Sequence, residues 1–138
     1  MRVMAIDFGD ARTGVAVSDD SAALTGDAWV LRGKSREVTA RAIAYEAVSR
    51  GVSIIVVGYP KNMNGTVGPR AEKSEQLAEL LRSMCDIEVV LWDERMTTIS
   101  ARQILTDTGR HGKKRKMIID AVAASLILES YLVFLKKE

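Results

Sequence analysis

Asp7 interrupts the β-prone run from Arg2 to Phe8, where the interior of a sheet prefers a hydrocarbon side chain. A carboxylate buried there without a partner costs several kcal/mol. No lysine or arginine lies nearby on the same strand face, so the partner is a metal ion, a ligand, or water at an open strand end. The alternative is that Asp7 only ends the strand and starts a turn. Asp93 and Glu94 follow another apolar run, Ile87 to Trp92. Asp120 lies within Ile118 to Ala124, whose small apolar neighbours suit close packing on a sheet. In an open α/β sheet ligands gather at the carboxyl ends of the strands, and these acids fall there. Converging carboxylates repel one another without a counter-charge, which Mg2+ or Mn2+ supplies through hard oxygen ligands. Two such ions about 4 Å apart can activate a water and stabilise the leaving oxygen of a phosphodiester. Asp93 and Glu94 point to opposite faces if the strand persists, so only one of them reaches the ions. Plainer roles exist for each: Asp93 and Glu94 can pair with Arg95 or cap a helix, and Asp120 can answer a helix dipole, worth up to about 1 kcal/mol.

The elements that position these acids are readable from periodicity. Arg2 to Phe8 and Gly14 to Ser18 flank a glycine-punctuated turn and form a hairpin. Ala22 to Leu31 supplies a third strand, and Gly33-Lys34-Ser35 a turn. Glu37 to Arg50 is helical, with Val38, Ala42, Ala44, Tyr45 and Val48 as its apolar positions and Gly51 closing it. Ser53 to Gly58 is an uninterrupted β-branched run of the kind covered on both faces. After a loop, Pro69 opens a helix to about Met84 with Leu77, Leu80, Leu81 and Met84 inward. Beyond the strand Ile87 to Trp92, Thr97 or Thr98 can cap a helix from about Ile99 to Thr108 that Gly109 stops. Arg110 to Lys116 reads as a basic linker, and Met117 to about Leu135 as a helix. The expected fold is α/β: a five-stranded mixed sheet, an antiparallel meander of three strands continued by parallel ones, flanked by helices in a single domain over 1–138.

Composition excludes several classes. With 138 residues, 47% hydrophobic and 28% charged, the chain can bury a full core and is not disordered. Cys85 alone cannot form an internal disulfide and reads as a small hydrophobe near a helix end. The lack of an apolar leader or bilayer-length run points to a cytoplasmic protein with no membrane partner. A net charge of +2 does not by itself announce a nucleic-acid binder, so placement matters more. Five cations fall in the seven residues Arg110 to Lys116, just before Asp120, which suits tracking a phosphate backbone through Lys113, Lys114, Arg115 and Lys116. In the loop Tyr59 to Arg70, glycines permit close approach while Lys61, Asn62 and Arg70 can grip phosphates. That loop lacks a P-loop ending. His111 reads as a solvent-exposed linker histidine. Aromatics at 5% provide no stacking platform for single-stranded bases.

The motifs together resemble the YqgF (RuvX) family, bacterial proteins with a ribonuclease H-like fold related to RuvC Holliday-junction resolvases. The resemblance covers almost the whole chain and rests on Asp7-Phe8-Gly9 with Arg12 and Gly14, Val57 to Gly65, Gly68-Pro69-Arg70-Ala71, Asp93 to Thr98, and Asp120 to Ala124 leading to Ile127-Leu128. Asn64 departs from a common aspartate, and Ile118-Ile119 from a common basic residue plus valine. The resemblance implies Asp7, Glu94 and Asp120 as catalytic, metal-binding acids. It also implies processing of the 5′ end of precursor 16S ribosomal RNA, with Holliday-junction DNA as the rival substrate. On this reading Arg12, Lys61, Asn62, Arg70, Arg95 and the basic run position the nucleic-acid backbone around Mg2+ or Mn2+ in a monomer or homodimer. Another class is a non-catalytic RNA- or ribosome-associated factor with the same fold. An actin-like phosphotransferase needs a second, duplicated domain for which 138 residues leave no room.

Overall fold

The apolar runs pair into one five-stranded sheet in a computed structural model that describes residues 1–32, 35–60, 64–94 and 113–137, with only the backbone described at 113–118. The elements are β1 (Arg2–Phe8), β2 (Arg12–Ser18), β3 (Thr25–Arg32), α1 (Arg36–Ser49), β4 (Val52–Tyr59), α2 (Pro69–Met84), β5 (Glu88–Asp93) and α3 (Lys113–Lys136). The strands lie in the order β3-β2-β1-β4-β5. The β1–β2 and β2–β3 pairs are antiparallel, and β4 runs parallel to both β1 and β5. This is the mixed sheet that the order of apolar runs predicts. Among the described residues no helix is long and apolar enough to cross a membrane.

Side-chain alternation divides each strand between two cores. Met4 and Ile6 of β1, Val15 and Val17 of β2, Ile55 and Val57 of β4 and Val89 of β5 pack under α1 and α2. Their neighbours Val3, Ala5, Ala16, Ile54 and Val56 face α3 through Ala124, Ile127, Leu128, Tyr131 and Leu132. The period of two along each strand carries this division outward to the strand ends. By that count Asp7, Arg12, Gly14, Gly58 and Glu94 all lie on the α3 side, while Tyr59 and Asp93 lie on the α1–α2 side.

Three sequence expectations need correction. The buried face of α1 is Thr39, Ala40, Ile43, Ala44 and Ala47, whereas Val38, Tyr45 and Val48 are 54%, 67% and 63% exposed. Small side chains let α1 approach its neighbours closely, and the Thr39 hydroxyl donates to Ser35 O at 3.0 Å, so its burial leaves no polar atom unmet. The second strand begins at Arg12 rather than Gly14, which places Gly14 inside the strand instead of at the edge of the turn. Lys113 to Lys116 form the first turn of α3 instead of a linker. Straight-chain lysine and arginine are good helix formers, and that propensity prevails over the unfavourable meeting of cations with a helix N-terminus. Lys61, Asn62, Arg95, His111 and the helix expected at Ile99 to Thr108 lie outside the described residues.

Candidate active site

Gly14 and Gly58 bring three distant parts of the chain to the carboxyl edge of the sheet. Gly14 is the register partner of Asp7 across β1 and β2. A Cβ built on Gly14 lies 2.0 Å from the Asp120 backbone oxygen, so the α3 backbone rests directly on the strand there. On β4, a Cβ on Gly58 lies 3.1 Å from Glu94 Cδ and 2.7 Å from Ile127 Cδ1. The missing side chain at Gly58 is thus the space through which Glu94 reaches Asp7. These approaches bring Glu94 to Asp7 and set the Asp120 backbone beside them.

Asp7 and Glu94 share a hydrogen bond between their carboxyls. Burial pushes the Glu94 carboxyl up to about 7; the negative charge of Asp7 adds to the rise and Arg70 opposes it. Burial also raises Asp7, against the pull of Arg70; the charge of Asp120 raises it further, and the hydrogen bond from Glu94 favours its ionised form. Below about pH 7 the pair therefore favours sharing a proton, as like charges confined at short range do. Asp93, on the opposite face by alternation, raises Glu94 through the charge it carries. Of the two adjacent acids, Glu94 is the one that meets Asp7.

Asp120 has a different partner. Arg12 Nε donates to Asp120 Oδ2 at 2.8 Å, with both side chains about three-quarters buried. Among the described residues no three His, Cys, Asp or Glu side chains stand close enough together to hold a metal ion. The oxygen-only donors Asp7 and Glu94 suit a hard divalent cation, and their shared proton marks the positive charge they require. Asp120 completes that set only by redirecting its carboxylate.

Cations surround the acids. Arg70, exposed in the first turn of α2, acts through space on Asp7, Glu94 and Asp10. Lys73, one turn further on, donates to Asp10 Oδ1 at 2.6 Å and ties α2 to the β1–β2 turn. The Tyr59 hydroxyl donates to Glu75 and ties the end of β4 to the same helix. Sequence reasoning missed Lys73, although its place three residues after Arg70 puts it on the same helix face. The sequence marks the β4–α2 connection as phosphate-gripping. Of its candidates, Arg70 stands at the site, and Lys61 and Asn62 lie outside the described residues.

Comparison with known proteins agrees with this architecture. A family model described as "RuvX: Holliday junction resolvase" matches residues 1–133. A protein of Halothermothrix orenii named "Putative pre-16S rRNA nuclease" is 41% identical over 137 residues, covering 99% of this chain and 98% of its own. One of the same name from Caldanaerobacter subterraneus is 43% identical over 133 residues, covering 96% of each chain. Thermus thermophilus RuvC in complex with a Holliday junction substrate superposes with a TM-score of 0.60 at 15% identity, over 97% of this chain and 96% of that one. Fowlpox virus resolvase bound to Holliday junction DNA gives 0.57 at 11% identity, over 98% and 99%. At such identities the two structures establish a shared fold of the RuvC-like, ribonuclease H type. The chain belongs to the RuvX family.

Proposed function

We propose that this chain is a divalent-metal-dependent nuclease that hydrolyses phosphodiester bonds in structured nucleic acid, with the 5′ end of precursor 16S ribosomal RNA as its substrate. The observation that carries the reading is the buried Asp7–Glu94 pair, whose raised carboxyls meet at the carboxyl edge of the sheet beside Asp120. The names carried by relatives above 40% identity supply the substrate.

Asp7, Glu94 and Asp120 would hold Mg2+ or Mn2+, which when bound supplies an activated water and charge stabilisation for the departing oxygen. The chain's own residues do the rest. Arg70 carries a positive charge to the site mouth, where it attracts a phosphate and offsets the charge of the acids. Lys113 to Lys116 fall in the first turn of α3, seven to four residues before Asp120, and four positive charges at that place in the chain suit a nucleic-acid backbone. Burial of the acid pair excludes bulk water and strengthens every charge interaction within it.

A second substrate, branched DNA, is favoured by the description of the family model. Incubating the protein with precursor 16S RNA and with a synthetic Holliday junction, each with Mg2+ or Mn2+, separates the two. Preferential trimming of the RNA 5′ end is expected, while efficient symmetric cutting of the junction overturns the RNA assignment. Tight RNA binding that is indifferent to chelator, with no cleavage of either substrate, indicates a non-catalytic factor. Arg70→Gln is expected to lower the slope of log affinity against log salt by about one phosphate contact, roughly 0.7–0.9, in filter binding of RNA. An unchanged slope removes Arg70 from the interface.

A further inference from the structure

Asp120 is fixed at its backbone and adjustable at its side chain. Its carbonyl lies against Gly14, so this turn of α3 has little freedom to move toward the strand. Its carboxylate is nevertheless engaged by Arg12 rather than grouped with Asp7 and Glu94. Arg12 belongs to the same sheet face and uses only Nε in this contact. Among the described residues its two terminal nitrogens have no hydrogen-bond partner. A guanidinium anchored through Nε with both Nη groups unengaged is a fork suited to a phosphate.

We infer that Arg12 and a divalent cation compete for the Asp120 carboxylate, so that loading the ion releases the Arg12 guanidinium to grip a nucleic-acid phosphate beside the acid pair. The inference rests on the nuclease reading of this site and adds to it a coupling between ion and substrate. Charge requires the exchange. Asp120 neutralises Arg12 while the two are paired. Once the carboxylate serves the cation, the guanidinium needs another anion, and a phosphate is the one the substrate brings. Binding of ion and of nucleic acid is then cooperative, and by linkage each tightens the other by the same factor.

The test measures binding rather than turnover, on the full chain. Mn2+ affinity is measured by calorimetry for the wild type, Arg12→Gln, Arg12→Lys and Asp7→Asn, with circular dichroism melts to verify folding. RNA affinity is measured by fluorescence anisotropy on a structured precursor fragment, in chelator and in Ca2+. Arg12→Gln is expected to bind Mn2+ about tenfold more tightly, within the usual range of such couplings. It is also expected to lose most of the gain in RNA affinity that Ca2+ confers on the wild type. Arg12→Lys, which keeps a charge without the fork, is expected to fall between in Mn2+ affinity. Equal or weaker Mn2+ binding by Arg12→Gln overturns the inference, as does an unchanged Ca2+-dependent gain in RNA affinity. If wild-type Mn2+ binding is absent, or is unaffected in Asp7→Asn, the nuclease reading of the site fails instead.

Discussion

Asp7→Asn is expected to reduce cleavage by about a thousandfold or more and, in the same protein, to raise its melting temperature at pH 8 in chelator. The two effects have one cause. Charge stabilisation by a bound ion is worth several kcal/mol, and each 1.36 kcal/mol is tenfold in rate. In the proposed site Asp7 holds such an ion, and without it the buried carboxylate is a liability to the fold, set beside Glu94 and Asp120 and only partly offset by Arg70. Burial and neighbouring charge raise both Asp7 and Glu94, so the folded state retains a proton that the unfolded chain has released. The unfolded Glu94 carboxyl titrates near 4.5 and the folded one near 7. Its contribution is therefore fully present below pH 4.5 and is lost as pH rises through 7. At about 1.4 kcal/mol per unit this amounts to on the order of 3 kcal/mol for Glu94. Replacing Asp7 removes the second cause of that rise, so the variant's stability falls less steeply from pH 5 to pH 8. Mn2+ competes with the shared proton and should raise the wild-type melting temperature more at pH 8 than at pH 5. Thermal melts at both pH values with parallel cleavage assays check this. A variant less stable than wild type at pH 8 shows that Asp7 supports the fold rather than the site.

The same side-chain alternation that makes Asp7 conspicuous in the sequence places it in the structure. An acid among Val3, Ala5 and Ala16 on one sheet face is visible as an anomaly before any fold is known, and it ends at the site. Alternation from Val90 and Trp92 puts Glu94, one residue past β5, on the face of Asp7, a choice that the two adjacent acids leave open in the sequence. The face of α1 was not legible. Val38, Tyr45 and Val48 form as regular a stripe as Ala40, Ile43 and Ala47, and the closeness of tertiary packing decides between them. The pairing of Arg12 with Asp120 spans 108 residues, and no local pattern encodes it. The roles of Gly14 and Gly58 were hidden for a related reason. A glycine in a strand signals a turn, a bulge or a close approach alike, and only the identity of the approaching element distinguishes them.

Gly14→Ala is expected to cost both stability and activity, and the contact geometry shows why the two losses are linked. The added methyl would lie 2.0 Å from the Asp120 carbonyl oxygen and 2.7 Å from its carbon, where Cβ contacts under 3.0 Å are essentially never found. The turn of α3 at Asp120 must retreat by about 1 Å, at an overpacking cost of about 1–3 kcal/mol. Trimming a side chain offers no relief, since the obstacle is backbone; Ala124 Cβ, at 3.3 Å, is the lesser contact. Because Gly14 pairs with Asp7, that retreat carries Asp120 away from the acid it joins in the proposed site. A displacement of about 1 Å in a catalytic group can lower the rate about a hundredfold. Gly51→Ala is the control. Its φ of +69° makes alanine strained by about 1–2 kcal/mol, yet no atom lies within 4 Å of the new methyl. Urea unfolding should therefore show comparable losses for the two variants. Cleavage measured well below both melting temperatures should fall about a hundredfold in Gly14→Ala and stay near wild type in Gly51→Ala. Equal activities would mean that the approach of α3 to β2 serves packing alone, and that Asp120 works from wherever the helix leaves it.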